Sequence, residues 1–289
     1  MYIILGGTGH VGSAVAKALI ANNKQVIIIT HDEDKVSSIE AMGAKAEIAD
    51  ITDSNRLNEI FKMGERLFLL NPPAPPATNT PKVERDSMQS IIAALEDSGL
   101  EKIVAESTYG AQPGKDVGDL GVLYEMEEVL KDLHIPVSIQ RAAYYYSNWD
   151  LSLESAKKEG KVYSMYPPDF KLPMVAPDDL GVFAAKLLME PLDETGLYYR
   201  TGPEDYSPND VAAAFAKALG KDVEVVQIPE DNWGPYLEEQ GFSAKGAKSM
   251  VNMTKATLEH VHDMEPENPQ RGTITIDDYI AALVDRKSE

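Results

Sequence analysis

Short apolar runs alternate with amphipathic stretches along the first half of this chain. Tyr2–Leu5, Gln25–Ile29, Lys45–Ile48, Arg66–Leu70, Lys102–Ala105 and Pro136–Gln140 predict six strands. Most are largely apolar rather than alternating, the pattern of strands covered on both faces. Between them the spacing turns helical. Val11, Ala14, Val15, Ala18 and Leu19 fall on one face, and a second stretch runs from Pro81 through Ile91, Ile92 and Leu95. Strand and helix in alternation predict an α/β fold with a Rossmann-like, doubly wound parallel sheet.

After Asn148 the rhythm slackens. Helical patterns at Asp178–Met189, Pro208–Leu219, Asn232–Gln240, Ala244–His262 and Ile276–Asp285 alternate with short strands at Leu197–Arg200 and Val223–Ile228. This predicts a dinucleotide-type domain over residues 1–148 and a smaller C-terminal α/β lobe over 149–289, interleaved with the first. Thr80-Pro81 and Ser207-Pro208 each place a capping hydroxyl before a proline at a first helical position. The stretch "NPPAPPATNTP" from Asn71 is excluded from helix and ladder by its prolines. It is expected as a rigid loop leaving the carboxyl end of the fourth strand, where such sheets bind ligands.

Composition narrows the function classes. The 289 residues carry a formal net charge of −20 and no run of Lys and Arg, so neither nucleic acid nor an anionic membrane surface is an expected partner. No cysteine is present, which removes disulfides, thiolate metal ligands and a cysteine nucleophile together. No stretch approaches the ~20 apolar residues of a membrane span, and the opening apolar run is too short for a secretory leader. The expectation is a soluble cytoplasmic protein.

The opening strand runs straight into "GGTGHVG". Gly7-x-Gly9-x-x-Gly12 and Gly6-x-x-Gly9-x-x-Gly12 both match dinucleotide-binding spacings. Such glycines permit a tight turn, let backbone N–H groups approach a pyrophosphate and allow helix and strand to pack closely. Strand before, helix after and an N-terminal position supply the context the motif requires. The cofactor choice turns on the end of the second strand, Ile29-Thr30-His31-Asp32-Glu33-Asp34-Lys35. No carboxylate stands at Thr30 or His31, and His10, His31 and Lys35 offer positive charge, which favours NADP(H) mildly over NAD(H). Asp32 to Asp34 argue the other way, unless they serve the following helix dipole.

The motifs "ILGGTGHVG", "AEIADITD", "EEVLKDLHIPVSIQRAAYYYSN", "PDDLGVFAAKLL" and "YYRTGPEDYSPNDVAAAFAKALG", in this order, resemble the NmrA-like group of atypical short-chain dehydrogenases. The nearest branch is the NADPH-dependent quinone oxidoreductase type 2, and the likeness runs from Met1 to about Ala281. The resemblance implies that Gly6, Gly7, Thr8, Gly9, His10 and Val11 wrap the pyrophosphate. It places Asp50 and Ile51 beside the adenine, Leu70, Asn71 and Pro72 along the nicotinamide ribose, and Ala142, Ala143 and Tyr144 near the nicotinamide. His31 stands where the family commonly has an arginine for the 2′-phosphate, which weakens the NADP preference.

Ordinary short-chain dehydrogenases use Tyr-x-x-x-Lys, in which the lysine lowers the tyrosine pKa. None of the 13 tyrosines here has a lysine four positions on, and Tyr124 is followed there by Glu128. Aligned on Pro136 and Arg141, Leu123 occupies the position where relatives carry Lys or His, and Glu127 matches their usual Glu. Candidates for a weak acid are Ser107, Tyr124 and Tyr144, with Thr108, Tyr109, Tyr145 and Tyr146 beside them. Ser107 and Thr108 equally suit a strand end, and Glu127 equally suits an i,i+4 salt bridge to Lys131. His260 and His262 do not share a helix face, so no metal site is expected, and Met250, Met253 and Met264 suit packing.

Two functions follow. One is an NAD(P)H-dependent reductase passing hydride to a quinone or small carbonyl compound in a cleft between the lobes. The other is a non-enzymatic NADP(H)-sensing regulator of NmrA type, motivated by the missing dyad. A small-molecule substrate is the expected partner, with a second copy of the chain or a regulatory protein left open.

Overall fold

The computed structural model describes residues 1–114, 117–260, 266 and 268–286. The first half lays down β1 (Tyr2–Ile4), α1 (His10–Ala21), β2 (Val26–Thr30), α2 (Val36–Ala41), β3 (Lys45–Ile48), α3 (Ser54–Phe61) and β4 (Arg66–Leu69). It continues with α4 (Thr80–Ala94), β5 (Lys102–Thr108), α5 (Asp119–Lys131), β6 (Val137–Ala142) and β7 (Tyr144–Tyr145). The remainder adds α6 (Ser152–Glu159), β8 (Lys161–Ser164), β9 (Leu172–Val175), α7 (Pro177–Met189), β10 (Gly196–Thr201) and β11 (Asp205–Tyr206). Then come α8 (Pro208–Leu219), β12 (Glu224–Gln227), α9 (Trp233–Glu239), α10 (Ala244–His260), β13 (Gln270–Arg271) and α11 (Ile276–Arg286).

Eight strands form one parallel sheet in the order β13-β10-β6-β5-β4-β1-β2-β3. Strand order reverses between β1 and β4, which opens the crevice at the carboxyl edge. Register decides which face each residue serves. Ile4, Ile28, Phe68 and Val104 align and pack under α1 and α7; Ile3, Ile27, Leu67 and Ile103 align and pack under α3, α4 and α5. Both layers are apolar, as the continuous strands predicted. On the first face α7 crosses α1 so closely that a Cβ on Gly181 would sit 2.3 Å from the Ala14 Cβ.

The second lobe has its own core of Tyr146, Trp149, Val162, Met174, Phe215 and Ile280, with α11 packed on α8. Two small sheets edge it, β11-β9-β7 and β12-β8. The later chain also returns β10 and β13 to the large sheet and packs α7 on α1. Among the described residues no helix is long and apolar enough to cross a membrane.

Several expectations need correction. β5 and β6 run further than their apolar runs, because Glu106↔Gln140, Ser107↔Arg141 and Thr108↔Ala142 continue the ladder beyond Ala105 and Gln140. Ser107 is therefore inside the fifth strand rather than after it. Thr80 does not cap α4; Asn79 holds that position, and the Thr80 hydroxyl donates instead to Asp119 Oδ2 at 3.1 Å. Ser207 does cap α8, in a reciprocal box with Asp210. β7, β8, β9, β11 and β13 were not legible as strands. The helix expected over Ala244–His262 is seen to His260, and His262 and Met264 lie outside the described residues.

Candidate functional site

The crevice begins at the glycine loop. Gly6 takes φ +68°, a left-handed conformation that favours glycine, and turns the chain from β1 toward α1. Two further glycines are demanded by packing: a Cβ on Gly7 would lie 2.6 Å from Ile28 Cγ2, and one on Gly12 only 2.2 Å from the Gly6 carbonyl oxygen. Gly9 differs. Its φ is −87°, it is exposed, and an added Cβ would meet only the Gly6 oxygen, at 3.3 Å. The fold does not require glycine there; an open face at the helix start suits a ligand that must come close.

The start of α1 suits an anion in the same way. No side chain caps it and its first turn holds no acidic residue, so its leading N–H groups and positive dipole end face outward. Val11 sends its side chain into the core and offers only backbone to the loop. Thr8 and His10 are exposed, and His10 Nε2 lies 3.9 Å from Asp150 Oδ2 of the second lobe. Leu70, following β4, closes the other wall, with its Cδ2 3.0 Å from where a Gly6 Cβ would be.

Next to it, Asn71 donates its amide to the Glu84 carbonyl at 3.0 Å and leaves its buried Oδ1 without a hydrogen-bond partner. Such an orphan acceptor is uncommon and marks a place where a donor belongs. Pro72 is half-buried beside it. At the far end of the crevice His31 and Asp50 are exposed at the ends of β2 and β3, and Ile51 packs against the α3 side of the core. The Asp50 carboxyl is held below its usual range by hydrogen bonds from the Thr52 hydroxyl and N–H, helped by the nearby His31 imidazole.

The carboxyl ends of β5 and β6, where the resemblance implies the nicotinamide, carry Ala142 to Tyr144 and Ser107. Ala142 and Ala143 are buried and engaged through backbone: Tyr109 N donates to Ala142 O, and Ala143 N to Arg200 O. Tyr144 stands edge-on to Tyr166 at 5.8 Å and tilted against Trp149 at 6.1 Å, and its hydroxyl meets the Asn148 side chain. Burial raises the Tyr144 pKa well above the ordinary range. The three consecutive tyrosines diverge, since Tyr145 donates to Glu106 at 3.1 Å and Tyr146 to the Ile274 carbonyl at 3.2 Å.

Ser107 is 2% exposed and donates to Glu127 Oε1. Glu127 does not pair with Lys131, which reaches Glu128 instead. Its partner is Arg141, whose Nε and Nη2 donate to the two carboxylate oxygens at 2.8 and 2.7 Å, while Nη1 donates to Tyr199 OH at 2.9 Å. Burial pulls the Arg141 pKa down, but the Glu127 bond and charge outweigh it and the net shift is upward. Ser107, Arg141 and Tyr199 occupy one register row across β5, β6 and β10. Tyr124 is half-buried on α5, one turn before Glu127.

Two carboxyl groups escaped the sequence reading. Glu106, inside β5, accepts from Gln140 at 2.7 Å and from Tyr145, and burial pushes it up to about 8. Glu84, under the proline loop, accepts from Ala74 N at 2.9 Å; burial and the Asp119 charge push it up to about 8. The acid directly after the apolar run Ile103–Ala105 was the available signal for Glu106. Among the described residues, no three acidic or histidine side chains come together as a metal site.

The model of the NmrA-like family matches residues 2–281. The NAD(P)H azoreductase of Xenophilus azovorans is 23% identical over 288 residues, covering 99% of this chain and 91% of the azoreductase. The quinone oxidoreductase 2 of Escherichia coli (strain K12) is 24% identical over 247 residues, covering 84% and 82%. The crystal structure of the Escherichia coli NADPH-dependent quinone oxidoreductase with NADPH superposes with a TM-score of 0.78 at 22% identity, over 98% of this chain and 99% of that one.

Proposed function

The chain belongs to the NmrA-like family, and from that membership we propose that it is an NAD(P)H-dependent reductase that passes hydride to a quinone or small carbonyl compound. NADP(H) is the preferred dinucleotide in this reading. The observation that carries it is Gly9: an exposed glycine the fold does not need, at an uncapped helix start in the switch-point crevice. The azoreductase relative's name supports an NAD(P)H-dependent reductase, and the quinone oxidoreductase relative's name supports a quinone acceptor.

The dinucleotide, when bound, supplies the hydride, so the protein's task is binding, orientation and exclusion of water. The loop from Gly6 to Val11 would hold the pyrophosphate on backbone N–H groups. Leu70, Asn71 and Pro72 would flank the ribose, with Asn71 Oδ1 as the acceptor for a hydroxyl. Asp50 and Ile51 would bound the adenosine end. Ala142 and Ala143, fixed by their backbone bonds, would set the floor beneath the nicotinamide. Tyr144, Tyr124 and Ser107 are the hydroxyls assigned to the acceptor side. Burial raises the Tyr144 pKa, so its role in this reading is to hydrogen-bond and orient the acceptor rather than to give up its proton readily.

The test is purified protein with NADPH or NADH across a panel of quinones, enones and small aldehydes. Dinucleotide oxidation that depends on the acceptor is the expected result; no oxidation with any acceptor would overturn the enzymatic reading. A dinucleotide-sensing regulator is the second reading, favoured by the Ser107 proton being already given to Glu127. It expects a protein partner whose capture changes with saturating NADP(H).

A further inference from the structure

The second lobe sends one helix back onto the first. α10 follows α9 and packs on it, but it also packs on α4 and α5 of the dinucleotide-type domain. Two glycines let it lie directly on backbone there. A Cβ on Gly118, which takes φ +61° just before α5, would sit 2.5 Å from the Ser249 carbonyl oxygen and 2.7 Å from Met253 Cγ. A Cβ on Gly246 would sit 2.7 Å from the Pro76 carbonyl oxygen in the proline loop. Ser243, just before α10, bonds the same loop: its N–H donates to Pro76 O at 3.0 Å and its hydroxyl to Thr78 O.

Asp119, the first residue of α5, stands where these elements meet. Its Oδ1 accepts from the Ser249 hydroxyl at 3.0 Å and its Oδ2 from the Thr80 hydroxyl at 3.1 Å, so one carboxyl group joins α10, α4 and α5. Both donors are buried, so water is no ready substitute for this partner. Further along α10, the Thr254 and Thr257 side chains meet the Tyr166 hydroxyl, and Tyr166 stands edge-on to Tyr144. The helix thereby links Asp119 to the tyrosine assigned to the acceptor side. We propose that Asp119 is a positioning residue for the electron acceptor: by holding Ser249 and Thr80 together it sets α10 against the first domain and fixes Tyr166 and Tyr144 behind the acceptor. This rests on the reading of the chain as a dinucleotide-dependent reductase. Asp119 touches neither reactant in this role. α10 and its lead-in reach the proline loop at Pro76 and Thr78, past Asn71 and Pro72, so loosening the helix should spare the dinucleotide.

Three measurements test this: NADPH titration calorimetry, amide exchange along α10, and steady-state kinetics with NADPH and menadione. Where menadione is not reduced, the fastest acceptor of the panel replaces it. Asp119→Leu should raise the acceptor KM about tenfold, the worth of one charged hydrogen bond, with kcat and the NADPH Kd each moving less than about threefold. Exchange along α10 should quicken about tenfold while the glycine loop keeps its native rates. Ser249→Ala removes one hydroxyl from the same contact and should move both readouts in the same direction. It decides the matter if Asp119→Leu does not fold. Asp119→Asn keeps an oxygen for Ser249 and offers an N–H to the Thr80 hydroxyl, so it should recover most of the loss. An acceptor KM unchanged in the folded variants would overturn the inference and leave the reductase reading standing. An NADPH Kd that rises in step with that KM would do the same, because the effect would then be general. A native protein that turns over no acceptor of the panel would overturn the reductase reading and this role together.

Discussion

Glu127 and Arg141 meet in a two-pronged ion pair, with Arg141 Nε and Nη2 2.8 and 2.7 Å from the two carboxylate oxygens of Glu127. Glu127 is 1% exposed, so this carboxylate has exchanged water for Arg141 and the Ser107 hydroxyl. The pair ties α5 to β6 near the carboxyl end of the sheet. It also fixes where Ser107 points.

Breaking one side of such a pair leaves a buried charge unmatched, at a cost of about 3–5 kcal/mol. Glu127→Leu and Arg141→Met are each expected to lose stability of that order in urea denaturation. The double variant should be less destabilised than the sum of the singles, because no charge is stranded. Strict additivity would mean the two side chains do not act as a pair.

Gly9 and Gly12 separate ligand binding from folding. Gly9→Val adds atoms at an exposed position where the new Cβ meets only the Gly6 oxygen, at 3.3 Å, and should abolish dinucleotide binding at a far smaller cost to the melting temperature than Gly12→Ala. Gly12→Ala would place a Cβ 2.2 Å from the Gly6 oxygen, so it should destabilise the fold itself. Retained NADPH affinity in Gly9→Val would remove the pyrophosphate from this loop.

The glycine loop and parallel sheet were legible because both are governed by local rules: backbone turns and the apolar run of a doubly covered strand. Ser207 was legible for the same reason, since its partner Asp210 is three residues away. The polar interior was not. Glu127 offered Lys131 at helical spacing, yet its true partner Arg141 lies on a different element and forms a better-shielded pair. Thr80 looked like a cap, but Asn79 takes that position and the Thr80 hydroxyl reaches Asp119 on α5. Glu106 depends on Gln140 and Tyr145, which only strand register brings beside it. Side chains whose partners come from distant elements leave little trace in sequence spacing.

The raised carboxyls make stability fall with pH. Burial pushes Glu106 and Glu84 up to about 8 in the folded protein, against 4.5 for an unperturbed glutamate. Between those values the folded state keeps protons that the unfolded chain releases, so their contribution is full below about pH 4.5 and is lost as pH rises toward 8. Each group contributes a slope of about 1.4 kcal/mol per pH unit at most. Denaturation of native protein and Glu106→Gln between pH 5.5 and 7.5 should show a shallower decline in the variant. Equal slopes would mean that Glu106 is ionised in the folded state.

Lys102 is fully buried at the start of β5, and its Nζ donates to the Pro191 and Glu194 carbonyls at 2.8 Å each. Beside it Arg66 donates to the Leu188 and Glu190 carbonyls, so two cations hold the chain that leaves α7 for β10. Burial lowers the Lys102 pKa, and the Arg66 charge adds to that, which shows the ammonium is held against a solvation cost. Lys102→Met keeps the aliphatic stem but takes the ammonium from both carbonyls, leaving Pro191 O with the Glu194 N–H at 3.2 Å and Glu194 O with the Ser138 hydroxyl at 3.3 Å. Each charged hydrogen bond of this kind is worth about 1.5–3 kcal/mol, and relief of the Arg66 repulsion returns part of the loss. A net destabilisation of about 2–4 kcal/mol is expected in urea denaturation. Hydrogen exchange should rise at Pro191–Thr201 before the glycine-loop side of the sheet responds. A variant as stable as the native protein would show that the two carbonyls are satisfied without Lys102.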